Sequence, residues 1–250
     1  MFFVLLERLR QGYNTSKYPK IEPILSPRFS GVPKITGSCD LTCKACIDVC
    51  PTEAIAKKEQ SIAIDLGKCI FCDQCVPLCT HNNIQFTHEY RLASHQRSTL
   101  LVTKEVEKIG FQLNQQIQKL FKRSLQLRLV SAGGCNACEA DLNVLGTPVY
   151  DLNRFGISFT ASPRHADGII ITGPVTLNMK QALMDTYDAL PSPKIVIASG
   201  TCAISGGLFQ KSDEVCNGVD SLLPVDLYIP GCPPHPYTAL NGLLQFLGRV

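Results

Sequence analysis

The 250-residue sequence predicts two unlike folding units: a small cysteine-rich α+β unit, followed by a larger α/β unit built on a parallel sheet. Three observations carry that reading. Cysteines and isoleucines repeat over residues 31–90, and after residue 125 short β-rich apolar runs alternate with helix-length segments. Between them lies a basic connector, with eight basic and two acidic residues over 91–128. The length suffices for two ordinary domains. Thirteen cysteines are the compositional outlier.

Residues 1–30 read as an amphipathic helix followed by an extended strap. Phe2, Leu5, Leu6 and Leu9 share one helical face with charges opposite, which suits packing on a core or a partner, or lying on a membrane surface. The apolar run Met1–Leu6 is too short for a secretory signal and has no basic segment before it. No stretch approaches the roughly eighteen apolar residues of a spanning helix. The expected compartment is therefore reducing, with cytoplasm the default. Pro19, Pro23, Pro27 and Pro33 keep 17–35 extended and without a helix.

Residues 31–90 contain an internal repeat. Cys43, Cys46, Cys50 and Ile55 recur 29 residues later as Cys72, Cys75, Cys79 and Ile84, while Cys39 and Cys69 are 30 apart. Each half is expected to be a cysteine loop followed by a short helix, forming a pseudo-twofold domain. The run Cys69-x2-Cys72-x2-Cys75-x3-Cys79 has the spacing at which three thiolates wrap one cubane and the fourth reaches another cluster. Cys39-x3-Cys43-x2-Cys46-x3-Cys50 has one residue more in its first interval, which must bulge. Crossed ligation then predicts Cys39, Cys43, Cys46 and Cys79 on one 4Fe-4S cluster and Cys69, Cys72, Cys75 and Cys50 on a second. A disulfide scaffold would be short, secreted and even in its cysteines, and zinc sites use two separated pairs. Neither describes this pattern.

Residues 91–125 read as a basic helical linker. From Ser98 to Lys122 the apolar residues Leu101, Val102, Val106, Ile109, Leu113, Ile117, Leu120 and Phe121 recur at helical spacing, with Gly110 a weak point. Its charge suits a solvated face, an acidic partner or anionic lipid headgroups. No aromatic residues interleave with the basic ones, so nucleic acid is not an expected partner.

Residues 126–250 show strands at Leu125–Val130, Ile157–Thr160, Gly168–Thr172, Lys194–Ala198 and Val225–Ile229. Helices are expected over Thr176–Leu190 and Tyr237–Leu247, and the alternation argues for a parallel sheet covered on both faces. Cys135 and Cys138 follow the first strand, Cys202 the fourth and Cys232 the fifth. Ligands of parallel α/β sheets bind beyond the carboxyl ends of the strands, so these thiols are expected to converge. Cys216 falls outside those loops and reads as a free or buried thiol. No dinucleotide or P-loop fingerprint occurs.

Residues 31–90 resemble the bacterial two-cluster ferredoxins, particularly the ferredoxin-like subunits of complex I and membrane-bound hydrogenases, although Thr80 replaces the usual proline after the last cysteine. Residues 127–248 resemble the family of small subunits that complex I and the NiFe hydrogenases share. The likeness rests on Gly134-Cys135-Asn136-Ala137-Cys138-Glu139, Ser162-Pro163-Arg164-His165-Ala166-Asp167, Thr172-Gly173-Pro174-Val175-Thr176, Gly200-Thr201-Cys202 and Pro230-Gly231-Cys232-Pro233-Pro234. Cys-x2-Cys in the first motif is the hydrogenase form, where complex I has adjacent cysteines. The whole is similar to the small subunit of formate hydrogenlyase and hydrogenase-4 type enzymes, with a ferredoxin-like subunit fused in front of a flavodoxin-like domain.

This resemblance implies a third 4Fe-4S cluster on Cys135, Cys138, Cys202 and Cys232, at the interface with a large catalytic subunit. It implies an oxidoreductase complex in which the catalytic centre lies in that partner. The complex would be cytoplasmic and peripheral on the inner face of the membrane, with membrane-arm subunits and a soluble electron donor as further partners. Glu139 and Asp141 are candidates for proton relay, beside a purely structural role at a helix N-terminus. Arg164 and His165 are candidates for tuning the cluster or contacting the partner, beside an ordinary surface turn. One alternative is a related complex without NiFe, acting with quinone. Another is a soluble ferredoxin-flavodoxin fusion that binds FMN.

Overall fold

The computed structural model describes residues 2–39, 42–58, 61–104, 121 and 124–250. The expected first helix is α1 (Phe2–Gln11). Phe3, Leu5, Leu6 and Leu9 on it are exposed, Leu9 by 82%, so its apolar side chains do not pack on this chain's own core. No helix follows before β1 (Pro33–Ile35), as the prolines require. The strap is tied at both ends. Arg154 donates to the carbonyls of Ser16 and Tyr18 at 2.8 and 2.9 Å, and Asn241 donates to the buried Tyr18 hydroxyl at 2.7 Å. Farther on, the N–H of Gly31 donates to the carbonyl of Thr87 at 2.7 Å.

In the first unit, β1 pairs antiparallel with β4 (Ile84–Phe86), and β2 (Ile55–Lys58) pairs antiparallel with β3 (Ser61–Asp65). Ile55 and Ile84, equivalent in the repeat, each open a strand and are buried. The helices are less symmetric than expected. α2 (Ala45–Asp48) is a single turn, whereas residues 74–78 form turns without an α-helix. Pro77 stands where the first half has Asp48, whose N–H donates to the Lys44 carbonyl at 2.9 Å. Proline has no such donor.

The linker also departs from expectation. Its helix was to begin at Ser98, but a 3-10 turn over Arg97–Leu100 leads into β5 (Leu101–Val102), which pairs with β3. Leu100 and Val102 are buried around an exposed Leu101. That alternation is a strand's period of two, hidden in an apolar series that fits helical spacing equally well. The expected helix from 105 on, with Gly110, lies outside the described residues apart from Phe121, as does the bulge at 40–41.

The second unit is the expected parallel sheet. β6 (Leu125–Ser131), β7 (Ile157–Phe159), β8 (Gly168–Thr172), β9 (Ile195–Ser199) and β10 (Leu227–Ile229) stand in the order β10-β9-β8-β6-β7 with every pairing parallel. Numbered within the unit this is 2-1-3-4-5, the doubly wound flavodoxin-like order. α4 (Leu177–Asp188) and α6 (Pro236–Phe246) occupy the expected helices, and two short ones join them, α3 (Ala137–Val144) and α5 (Thr201–Ser205).

β8 and β9 are buried along their whole length, and their residues divide between the two faces. Ile170, Ile195 and Ile197 pack with α6 residues such as Leu240 and Leu243. Ile169, Ile171, Val196 and Ala198 belong to an apolar cluster that continues through Ile204 and Tyr228 into Ile64, Leu66, Leu100 and Val102 of the first unit. The two units thus share one core.

A charged clasp sits at the edge of that shared core. Arg97 donates two hydrogen bonds to Asp65, at 2.8 and 2.7 Å, and lies 4.0 Å from Asp220, which accepts from the Tyr228 hydroxyl at 2.8 Å. Removing the guanidinium leaves Asp65 without its bidentate partner at a site where neither side chain is more than 29% exposed. Arg97→Ala is therefore expected to lower stability by about 1–2 kcal/mol, read as a lower denaturant midpoint with unchanged slope.

Candidate functional site

The described thiols gather into three sets. Burial raises the pKa of Cys46, and the neighbouring charges of Cys79, Cys39 and Cys43 raise it further. Cys69 is pushed up to about 12 by burial and then by Cys75, Cys50 and Cys72, while its sulfur accepts from the Phe71 N–H at 3.3 Å. Cys75 is likewise pushed to about 12, by burial first and then by Cys72, Cys50 and Cys46. Cys79 therefore neighbours the first run and Cys50 the second.

Asn83 makes the exchange concrete. Its backbone N–H donates to the Cys79 sulfur at 3.2 Å, while its side-chain amide donates to the Ser38 carbonyl at 2.9 Å and lies 3.7 Å from the Cys39 sulfur. One buried residue thus touches a thiol from each cysteine run. In the repeat its counterpart is Ala54, whose N–H donates to the Cys50 sulfur at 3.2 Å. Sequence reading did not single out Asn83. Its position four residues after Cys79, matching Ala54 after Cys50, was the available signal.

The third set lies beyond the carboxyl ends of β6, β9 and β10. Burial raises the pKa of Cys138, followed by the charges of Cys202, Glu139, Cys232 and Cys135. Cys202 is pushed to about 11 by burial and by Cys232 and Cys135, against an opposing hydrogen bond from the Leu208 backbone. Gly200, at φ +92°, opens this space: a Cβ there would fall 2.6 Å from the Cys138 sulfur. Cys216 stands apart, packed against the apolar cluster with its N–H bonded to the Val175 carbonyl at 2.8 Å.

The sets also approach one another. Cys75 feels Cys46 of the first set, and Cys232, raised mainly by burial and by Cys135, also feels Cys72 of the second. Glu139 is 5% exposed and accepts from the hydroxyls of Ser131 at 2.5 Å and Thr172 at 2.7 Å. Burial works against its charge, yet those bonds and its own backbone N–H outweigh burial and hold its pKa below the usual value. Asp141 is half-buried and its pKa is raised by that burial. It lines a cleft with Cys232 and His235, between the Ile70-Phe71 loop and α6. Arg164 and His165 are exposed on a 3-10 turn past the end of β7.

The donor sets suit clustered iron. Among the described residues no three His, Cys, Asp or Glu side chains are arranged to hold one metal ion. Groups of four thiols with backbone N–H donors aimed at sulfur are the surroundings that thiolate-ligated clusters use. Thiols that oppose one another's ionisation release their protons when a metal takes the sulfur lone pairs.

Comparison with known proteins agrees with this chemistry. A family model described as the NADH ubiquinone oxidoreductase 20 kDa subunit matches residues 135–246, and one described as a 4Fe-4S dicluster domain matches residues 38–89. The chain is 44% identical over 130 residues to an uncharacterized protein of Methanocaldococcus jannaschii, covering 52% of this chain and 87% of the relative. It is 39% identical over 135 residues to a probable membrane-bound hydrogenase subunit of Pyrococcus furiosus, covering 54% and 81%. With formate hydrogenlyase subunit 7 of Escherichia coli it shares 43% over 132 residues, 53% of this chain and 52% of that protein.

Two outcomes follow from the site's geometry. Gly200→Ala adds a methyl against the Cys138 sulfur at a backbone angle that disfavours side chains, and is expected to push the Cys138 loop aside and lower the denaturant midpoint. His235 caps α6, its Nδ1 accepting from the Tyr237 N–H at 3.1 Å, and burial lowers its pKa from 6.5. A lowered histidine contributes stability above its unfolded pKa that is lost as pH falls through the folded one. Melting temperature is thus expected to drop as pH falls below about 6.5, and His235→Asn, which keeps a capping oxygen, is expected to remove that part of the drop.

Proposed function

Because the chain belongs to the NADH ubiquinone oxidoreductase 20 kDa subunit family, we propose that it is the iron-sulfur subunit of a membrane-associated NiFe hydrogenase. In this role it relays electrons through three 4Fe-4S clusters to or from a large catalytic subunit. The observation that carries the proposal is the grouping of twelve of the thirteen cysteines into three sets of four. Cys39, Cys43, Cys46 and Cys79 hold one cluster, Cys50, Cys69, Cys72 and Cys75 the next, and Cys135, Cys138, Cys202 and Cys232 the third. When bound, such clusters supply one-electron transfer.

The chain's own residues do the rest. Backbone donors at Ala54, Phe71 and Asn83 stabilise thiolate charge, and Ile55, Ile64 and Phe86 line the space beside the second set. Residues 31–90 and 126–250 are the two cluster-bearing domains, with 1–30 as helix and strap and 91–125 as connector. Exposed Cys135 and Cys232 mark the face toward the large subunit. Among the described residues no helix is long and apolar enough to cross a membrane. Attachment to the inner face of the cytoplasmic membrane would come through membrane-arm subunits; the Pyrococcus relative is named as a subunit of a membrane-bound hydrogenase. Arg164 and His165 would contact the partner. Asp141, whose pKa burial raises, is the carboxyl that could hold a proton beside the third set, and Glu139, held charged by its hydrogen bonds, serves the structure.

The family description itself names an NADH and ubiquinone enzyme, which supports a second reading, the same relay in a related complex without nickel. The test is iron, acid-labile sulfide and nickel content of the complex purified anaerobically with its partners. About twelve iron per chain with nickel is expected; about twelve without nickel favours the second reading. About eight or fewer from intact protein overturns the third cluster. In the same assay Cys79→Ser is expected to alter the EPR signal of the first set and leave that of the second unchanged, as crossed ligation requires.

A further inference from the structure

Helix α5 meets the first unit at the backbone of a ligand loop. The Thr201 side chain, 1% exposed, directs its hydroxyl to the carbonyl of Cys69 at 2.8 Å and to that of Gly231 at 3.1 Å. Its own N–H donates to Gly231 as well, at 2.9 Å. Cys69 belongs to the second thiol set, Gly231 precedes Cys232 of the third, and Thr201 precedes Cys202 of the third. One hydroxyl therefore joins three cysteine-bearing loops from two folding units. One turn later Ser205 donates to the carbonyl of Gly67 at 2.9 Å. Gly67 has no room for a side chain, since a Cβ would lie 2.8 Å from both Ile204 and Arg97. The apolar packing around Ile204 brings the units together, but apolar contact is non-directional and tolerates sliding. Hydrogen bonds to two defined carbonyls do not.

We propose that Thr201, seconded by Ser205, is a positioning residue that fixes the spacing and electronic contact between the second and third cluster sites. The inference rests on the reading of both thiol sets as cluster ligands. With clusters bound, Cys50, Cys69, Cys72 and Cys75 would hold the donor and Cys135, Cys138, Cys202 and Cys232 the acceptor of a single electron. No covalent bond is made or broken, and the Thr201 hydroxyl keeps its proton. The Thr201 hydroxyl supplies a short route between ligand backbones, from the Cys69 carbonyl across one hydrogen bond into the residue bonded to Cys202. Cys232 also feels the charge of Cys72 across the same seam.

The test uses the complex purified with its native partners and reduced with dithionite. Thr201→Val keeps the shape and removes the hydroxyl. It is expected to retain full iron and the individual cluster potentials while weakening the EPR spin–spin splitting between the two reduced clusters severalfold. Electron arrival at the third cluster, followed by freeze-quench, is expected to slow by about tenfold or more, the scale on which small misplacements act. Thr201→Ser is expected to restore both. Full iron with unchanged splitting in Thr201→Val overturns the proposal. If that variant loses iron, Ser205→Ala decides: a smaller loss of splitting supports the proposal and unchanged splitting overturns it. Wild-type complex with about eight iron removes the proposal together with the reading beneath it, and is recognised before any variant is made.

Discussion

Four thiols in one small space repel as soon as they ionise, and the molecule is organised around bringing them together nonetheless. Burial and neighbouring sulfur act in the same direction on Cys69, Cys75, Cys138 and Cys202, lifting each well above an ordinary thiol. A chain could spread such residues apart at little cost. This one converges them from distant positions, on loops whose ends are fixed by strands. In the second unit the parallel sheet does this directly, because its strands all deliver their following loops to one edge. In the first, the pairing of β1 with β4 brings the start of the repeat against its end, so that Asn83 reaches both Cys39 and Cys79.

Joining the units imposes a further requirement. Side chains on one face of β8 and β9 would otherwise be exposed, and the first unit alone is too small to enclose much apolar area. Sharing a cluster that runs from Val196 to Ile64 serves both. The polar contacts at the rim, Arg97 with Asp65 and Asp220, then select one arrangement among those that apolar burial permits. The strap adds a separate tie, since its Tyr18 is bound to α6 while its Gly31 is bound to the first unit.

Much of this was legible in the sequence because the signals were local. The five parallel strands are short apolar runs bounded by turns, and each lies within two residues of its expected limits. The cysteine spacing also supplied the expected grouping of thiols around Cys46 and Cys69. Where reading failed, two patterns overlapped or a single donor decided. Leu101 and Val102 fit a helical series and a strand equally well, and pairing with β3 settled it. Pro77 ended a helix that the repeat alone required. Thr201 and Asn83 were invisible because their partners are carbonyls and sulfurs far away in the chain, and a hydroxyl or an amide carries no signature of a distant acceptor.

The second set is in electrostatic contact with both of the others. Cys75 links the second set to the first through Cys46, and Cys72 links it to the third through Cys232. A pseudo-twofold unit offers two equivalent sites, and packing against an asymmetric neighbour makes one of them inner and the other outer. The backbone contacts made by Thr201 and Ser205, at Cys69 and Gly67, fall on the inner half. The equivalent stretch of the first half, ending at Cys39, contacts Asn83 of its own unit instead. Covalent fusion raises the local concentration of each unit for the other but specifies no orientation. Orientation comes from the seam, and the seam is built on the half of the repeat whose cysteines must face the third set.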